Sequence, residues 1–232
     1  MKTAVISDLH GNLPDYREAF EGVELLLICG DIVPLNIQAN NEKSRRWFRG
    51  QFKEWVESLP IAKCIFVAGN HDFWMERSVG QVYNMFPEYN KVSYLFNEYA
   101  TYISNDGNLY TIFGTPYCKV FGNWPFMREN ETLNKYYGMI PDNCDIVISH
   151  DSPALCGIGM IHQGNYYGEE AGNKILADHI LQKKPRYVFS GHIHSGEHSI
   201  KEIEGIKLAN TSIVDENYDI AYQPLILDIT KP

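Results

Sequence analysis

Five short stretches hold most of the side chains in this chain that could bind a cation or carry a proton. They are Ser7-Asp8-Leu9-His10-Gly11-Asn12, Cys29-Gly30-Asp31, Gly69-Asn70-His71-Asp72, Ser149-His150-Asp151 and Ser190-Gly191-His192-Ile193-His194. Five of the eight histidines fall in them, a concentration that scattered structural histidines would not produce. Imidazole and carboxylate together suit borderline divalent ions such as Mn, Fe, Zn or Ni. In Asp8-Leu9-His10 and His192-Ile193-His194, alternate residues of extended chain lie on one side, so both members of each pair can reach one cluster. Glycines at 30, 69 and 191 allow the sharp turns such a cluster needs. The five cysteines (Cys29, Cys64, Cys118, Cys144, Cys156) form no Cys-x-x-Cys pair. That argues against a Cys-based structural zinc site and for reduced structural thiols.

Each of the five stretches follows a short apolar run, and these runs predict buried strands at 4–6, 25–28, 64–68, 146–148 and 187–189. In open α/β sheets, ligands bind beyond the carboxyl ends of the strands, so five strands would deliver Asp, Asn and His to one rim. Phe48, Phe52, Trp55, Val56 and Leu59 recur at helical spacing, with Lys43, Arg45, Arg46, Arg49 and Lys53 on a solvated face. A second helix is predicted over 169–183, its buried stripe formed by Ala171, Ile175, Leu176 and Ile180 and its end set by Pro185. Segments 92–103 and 109–113 flank the turn Asn105-Asp106-Gly107-Asn108, segments 199–203 and 206–208 flank Glu204-Gly205, and 220–229 reads as a last strand. The pattern predicts an α/β or α+β layered sandwich, with residues 1–232 as one domain.

A formal net charge of -9 and a pI near 5.3 argue against a protein that tracks extended nucleic acid on a broad basic surface. They do not exclude a small anionic substrate, because bound metals can make a site positive inside an acidic protein. No apolar run approaches the ~20 residues of a membrane span, and residues 1–6 run into a strand without a signal-peptide pattern. A cytoplasmic location is the expectation, and oligomeric state leaves no mark on the sequence.

Asp8-Leu9-His10, Gly30-Asp31, Gly69-Asn70-His71-Asp72, His150 and Gly191-His192-Ile193-His194 resemble, complete and in order, the calcineurin-like metallophosphoesterase signature. The resemblance covers residues 3–212. The C-terminal half is similar to the small metallophosphoesterase domain-containing proteins of animal brain, through Gly114-Thr115-Pro116, Trp124-Pro125-Phe126 and the stretch from Gly191 to Asn210-Thr211-Ser212. Protein Ser/Thr phosphatases carry Asp-Arg-Gly after the second motif and end the third in Glu. Here Asp31 is followed by Ile32-Val33-Pro34-Leu35-Asn36 and the third motif ends in Asp72, which disfavours that branch.

The resemblance implies a four-layer αββα sandwich of two mixed sheets flanked by helices. It also implies two divalent ions, one held by Asp8, His10, Asp31 and His194, the other by Asp31, Asn70, His150 and His192, with Asp31 bridging. The expected reaction is in-line attack of metal-bound hydroxide on a small, perhaps nucleotide, phosphodiester. Two carboxylates against two divalent ions leave the cluster positive and attractive to that anion. His71, whose imidazole type titrates near neutrality, is the expected proton donor to the leaving alkoxide. Asp72 is expected to hydrogen-bond its ring or to cap a helix. Asn12 and His162 are candidates for lining the substrate pocket, and Tyr117, Trp124 and Tyr166 for its aromatic walls. A phosphomonoesterase or protein phosphatase with the same centre is the alternative. A non-catalytic metal-binding scaffold is disfavoured, because every ligand position is retained.

Overall fold

The computed structural model describes residues 1–85 and 91–231. Strands β1 (Lys2–Ile6), β2 (Leu25–Cys29), β3 (Lys63–Val67) and β4 (Val92–Tyr94) pair in parallel, each beside its predecessor. A second sheet begins with β5 (Glu98–Ile103) antiparallel to β6 (Leu109–Thr115). The short β7 (Cys118–Lys119) and β8 (Met127–Arg128) pair only with each other. The second sheet continues through β9 (Ile146–Ser149) and β10 (Tyr187–Ser190), with β11 (Lys201–Ile203) at its edge and β12 (Ile206–Asn210) parallel to β10. Strand β13 (Leu225–Asp228) returns to the first sheet, antiparallel to β1.

The central strands are buried on both faces, which is why they read as unbroken apolar runs. One set of alternate residues, including Val5, Leu25, Leu27, Ile65, Val67, Ile112, Ile146, Ile148 and Phe189, packs sheet against sheet. The opposite set meets the helices. Helix α1 (Asn41–Trp47), a π-helical turn (Phe48–Phe52) and α2 (Lys53–Ser58) follow one another without a break. Phe48 and Phe52 place their rings 5.5 and 5.9 Å from Phe66 on β3. The short α3 (Phe73–Arg77) and α4 (Val79–Tyr83) follow β3. Leu133 and Tyr137 of α5 (Asn130–Tyr137), with Leu176, Ala177 and Ile180 of α6 (Lys174–Lys183), join the apolar cluster that contains Val147, Val188 and Leu208. The layering is therefore helix, sheet, sheet, helix, as the resemblance implied.

Three boundaries differ from the sequence reading, each for a local reason. Segment 92–103 is not one strand. Leu95 still pairs with Phe66, but Asn97 takes a left-handed conformation (φ 55°) and redirects the chain into the other sheet. The helix predicted from 169 begins at Lys174, because Asn173 Oδ1 accepts the N–H groups of Ile175 and Leu176 and caps it there. Residues 169–171 are left to border a cavity. The last strand starts only at Leu225, directly after Pro224, which has no N–H to offer a ladder.

At the carboxyl ends, the two sheets meet. Ser7, just beyond β1, bridges in parallel to Ser212, just beyond β12, and Ile213 donates to Ser7 O at 3.1 Å. The loops after β1, β2 and β3 thus face those after β9 and β10 across one seam.

Candidate metal centre

Backbone at this seam is unusually tight. Asp8, His10, Asp31 and His192 all have positive φ (57°, 44°, 52° and 73°), a region that costs a non-glycine residue of order 1–3 kcal/mol. Hydrogen bonds from Asp8 N to Gly30 O (3.0 Å) and from His10 N to Asp31 O (2.9 Å) hold the first two loops together. Two glycines are required by close approach. A methyl on Gly69 would run into Asp31 Oδ1 and stand 2.6 Å from Asp31 N. One on Gly191 would run into Ser7 Oγ and stand 2.5 Å from Asp8 Oδ2.

The result is a knot of donors. Asp31 Oδ2 lies 3.4 Å from His150 Nε2, 3.7 Å from His10 Nε2 and 3.9 Å from His71 Nε2. Asp8 Oδ1 lies 3.7 Å from His194 Nε2. His150 Nε2 is 2.8 Å from Asn70 Oδ1, and the ring of His192 is centred 4.9 Å from that of His150. All seven residues expected to ligate metal meet around one point. Three outer contacts fix their orientation. His150 Nδ1 donates to Cys29 O at 2.9 Å, His194 Nδ1 donates to Asp215 O at 3.0 Å, and His192 N donates to Asp8 Oδ2 at 3.1 Å. Each of those two rings therefore turns Nε2 inward, where it can serve as a ligand once its proton is lost.

This donor set fits divalent cations. The Nε2 atoms of His10 and His194 face each other at 3.3 Å, a contact that one proton bridges in the metal-free protein and that a cation can replace by taking both lone pairs. Asp8, His10 and His194 bring their donor atoms within 4.8 Å of one another, and so do Asp8, Asp31 and His150. A third such group is His150 and His192 with the buried thiol of Cys118, a neighbour that cysteine spacing gave no means of finding.

Protonation in the metal-free protein follows from the same contacts. Burial opposes charge on His150, but Asp31 and Asp8 outweigh it and push the ring up to about 10. His194 is also raised, burial being overcome by its hydrogen bond to Asp8. Burial holds His10 down at about 4 and His192 at about 3, leaving both neutral. Burial would raise the Asp31 carboxyl, yet the rings of His150, His71 and His10 keep it well below the usual range. A cation binding through His150 and His194 must therefore expel their protons. Loading the centre at pH 7 is expected to release at least about one proton per chain, the one on His150, with affinity climbing as pH rises toward 10. Calorimetry in two buffers of different ionisation enthalpy reads the number directly, and zero release would contradict this assignment.

Asp72 does not touch the ring of His71, and it does not cap α3 with its side chain. Its carboxylate turns inward, to the N–H groups of Ile32 (3.0 Å), Val33 (2.9 Å) and Gly69 (2.8 Å). The backbone beyond Asp31 needs an acceptor there, and Asp72 supplies it. Burial, then the charge of Asp31, push this carboxyl up to about 7 against the pull of those N–H groups. Asp72→Ala orphans three buried donors and should cost about 3 kcal/mol or more. Urea unfolding measures it, and a loss below about 0.5 kcal/mol, the range of neutral surface changes, would contradict the anchoring role.

What meets the His71 ring instead is Gln38, whose Oε1 lies 2.6 Å from Nδ1. Trp124 tilts over the ring face at 4.6 Å and His10 meets it edge-on at 4.9 Å. A cavity of about 520 Å³ opens over Asp31, Asn70, His71, His192 and His194. Its outer wall carries Phe121, Trp124, Lys119, Glu169, Glu170, Glu216 and Tyr218. Phe121 and Trp124 belong to the loop between β7 and β8, which Glu76 ties down by accepting from Phe126 N (2.8 Å) and Arg128 (3.0 Å). Tyr218 packs against both His10 (4.8 Å) and His194 (5.2 Å).

Neither predicted lining residue borders this cavity. Asn12 donates from Nδ2 to Tyr218 O at 3.4 Å, a prop for the tyrosine rather than a substrate contact. His162 is exposed, with its backbone N–H on Ser195 Oγ and its ring toward Tyr167. Of the aromatic candidates Trp124 stands at the wall, Tyr117 is buried against Tyr136, and Tyr166 is exposed elsewhere.

A family model described as calcineurin-like phosphoesterase matches residues 1–196. Metallophosphoesterase domain-containing protein 1 of Homo sapiens is 23% identical over 244 residues, an alignment spanning 98% of this chain and 70% of the relative. Among solved structures, phosphopantetheinyl hydrolase of Mycobacterium tuberculosis superposes with a TM-score of 0.57 at 15% identity, covering 94% of this chain and 90% of its own. A dimetal phosphatase of Danio rerio does so with a TM-score of 0.56 at 9% identity, covering 90% and 86%. At these identities the structural likeness speaks for the fold alone.

Proposed function

Because the chain belongs to the calcineurin-like phosphoesterase family, whose members are phosphoester hydrolases with a dinuclear divalent-metal centre, we propose that it cleaves small phosphodiesters. The lining of the cavity carries this reading. Three carboxylates, Glu169, Glu170 and Glu216, stand at its wall against one lysine or arginine among the described residues, Lys119. That ammonium already donates to Gly172 O at 3.1 Å. A dianionic monoester would meet this acidic rim with twice the repulsion of a monoanionic diester. The second ester group of a diester has somewhere to go: Phe121 and Trp124 are 54% and 36% exposed beside the His192 and His71 rings. Aromatic or nucleoside esters suit those faces.

The two ions, when bound, supply the charge that draws in the phosphate and lowers the pKa of the attacking water. The chain does the rest. Asp8, Asp31, Asn70 and the four histidines 10, 150, 192 and 194 hold the ions, oriented by Cys29 O, Asp215 O and the N–H of His192. His71, as the imidazolium, presents Nε2–H to the cavity and gives that proton to the departing alkoxide, keeping the Nδ1–H. Phe121 and Trp124 seat the organic group and exclude water. The five cysteines are free, four of them buried, which suits a reducing, cytoplasmic setting. No helix among the described residues is long and apolar enough to cross a membrane.

The test is a comparison of bis- and mono-nitrophenyl phosphate with the manganese-loaded protein. A kcat/KM for the diester at least about ten-fold higher, or 1.4 kcal/mol in the transition state, is expected. Preference for the monoester would move the protein to the phosphomonoesterase reading, and bound metal without turnover to the scaffold.

A further inference from the structure

We propose that Gln38 is a positioning residue for His71, holding the imidazole by Nδ1 so that Nε2 faces the reacting phosphate ester; this rests on the reading of His71 as the proton donor. Gln38 Oε1 stands 2.6 Å from Nδ1, a short contact for an N–H donating to an amide oxygen. With Nδ1 so engaged, Trp124 on one face and His10 edge-on leave the ring one remaining direction for Nε2. It points toward Asp31 Oδ2, 3.9 Å away.

Gln38 itself is fixed by the loop that carries it. Asp72 anchors the N–H groups of Ile32 and Val33, and Ile37 donates to Pro34 O at 3.1 Å. Ser44 Oγ donates to Ile37 O at 2.9 Å, and Asn40 Oδ1 accepts Lys43 N at 3.0 Å to begin α1. The amide therefore reaches His71 from a segment bonded at both ends. A neutral acceptor orients the ring without adding another negative charge beside Asp31. Preorganisation of this kind matters because misplacing a reacting group by about 1 Å can cost about 100-fold in rate.

The experiment has two arms. In the first, long-range proton–nitrogen NMR of the metal-free protein reads the His71 tautomer. In the neutral ring the wild type should show the proton on Nδ1, leaving Nε2 as the atom that gains and gives the catalytic proton. Gln38→Leu should shift population to Nε2, and Gln38→Glu, which keeps an acceptor at the same reach, should restore Nδ1. In the second, the manganese-loaded variants are assayed on diesters with alkyl and with nitrophenyl leaving groups. Gln38→Leu should lower kcat on the alkyl ester about 10- to 100-fold, change KM less than about two-fold, spare the nitrophenyl ester, and add nothing to His71→Asn. Gln38→Glu should recover the alkyl rate. An unmoved tautomer, or an equal loss on both esters, would overturn the positioning role. Leaving-group-selective loss in His71→Asn without it in Gln38→Leu overturns Gln38 alone. A non-selective loss in His71→Asn overturns the donor reading beneath it.

Discussion

Asp31→Asn is expected to strip both metal positions together and to lower kcat/KM by more than the roughly 10- to 100-fold that loss of an outer hydrogen-bond partner costs a metal site. The substitution conserves shape, so what it removes is charge and a lone pair. Asp31 Oδ2 lies within 4 Å of the Nε2 atoms of His10, His71 and His150 alike. An amide nitrogen there would aim N–H groups into the space the ions would fill, and the cluster would fall from two carboxylates to one. The fold should survive. Removing the carboxylate removes the largest of the contacts that hold His150 charged, so the ring can become neutral instead of standing as an unpaired buried cation. Metal analysis beside circular dichroism separates the two effects. Two retained ions with normal turnover would defeat the bridging role.

His71→Asn is expected to keep both ions and to slow alkyl diesters by about 10²–10⁴-fold, the usual range for general acid catalysis. Nitrophenyl esters should lose far less, because their leaving group departs without a proton. Among the described residues no other imidazole faces the cavity from outside the ligand cluster: the rest of the lining histidines are His192 and His194. Asparagine at 71 leaves the backbone N–H that Asp31 Oδ1 accepts at 2.7 Å, so metal content is the control. An equal loss on both classes of ester would recast His71 as a stabiliser of the phosphate oxygens.

What the sequence made legible, and what it hid, divides along one physical line. The ligand positions follow buried strands directly, so apolar run and polar residue are neighbours in sequence and the convergence at the sheet edge follows from parallel pairing. Helix α6 and the paired segments around Asn105-Asp106-Gly107-Asn108 were equally local signals. The failures concern side chains whose partner is set by packing of distant loops. Asp72 could be read as a partner of its neighbour His71 or as a cap. Only the fold reveals that the backbone beyond Asp31 lies within its reach. Gln38 sits in an unpatterned loop and carries no sequence mark of its contact with His71. Tyr218 and Phe121 reach the cavity only because the chain returns there from β12 and from β7. The break of segment 92–103 did leave a trace: Asn97 is among the few residue types that tolerate a left-handed turn, although alternation on either side obscured it.

Anomalous diffraction from crystals grown with manganese measures the convergence of these five loops most directly. Two peaks about 3.5–4 Å apart are predicted, both bonded to Asp31, with Asp8, His10 and His194 completing one and Asn70, His150 and His192 the other. A single ion bonded to only one of these groups, or density with Asp31 turned away from either, would contradict a shared two-ion centre.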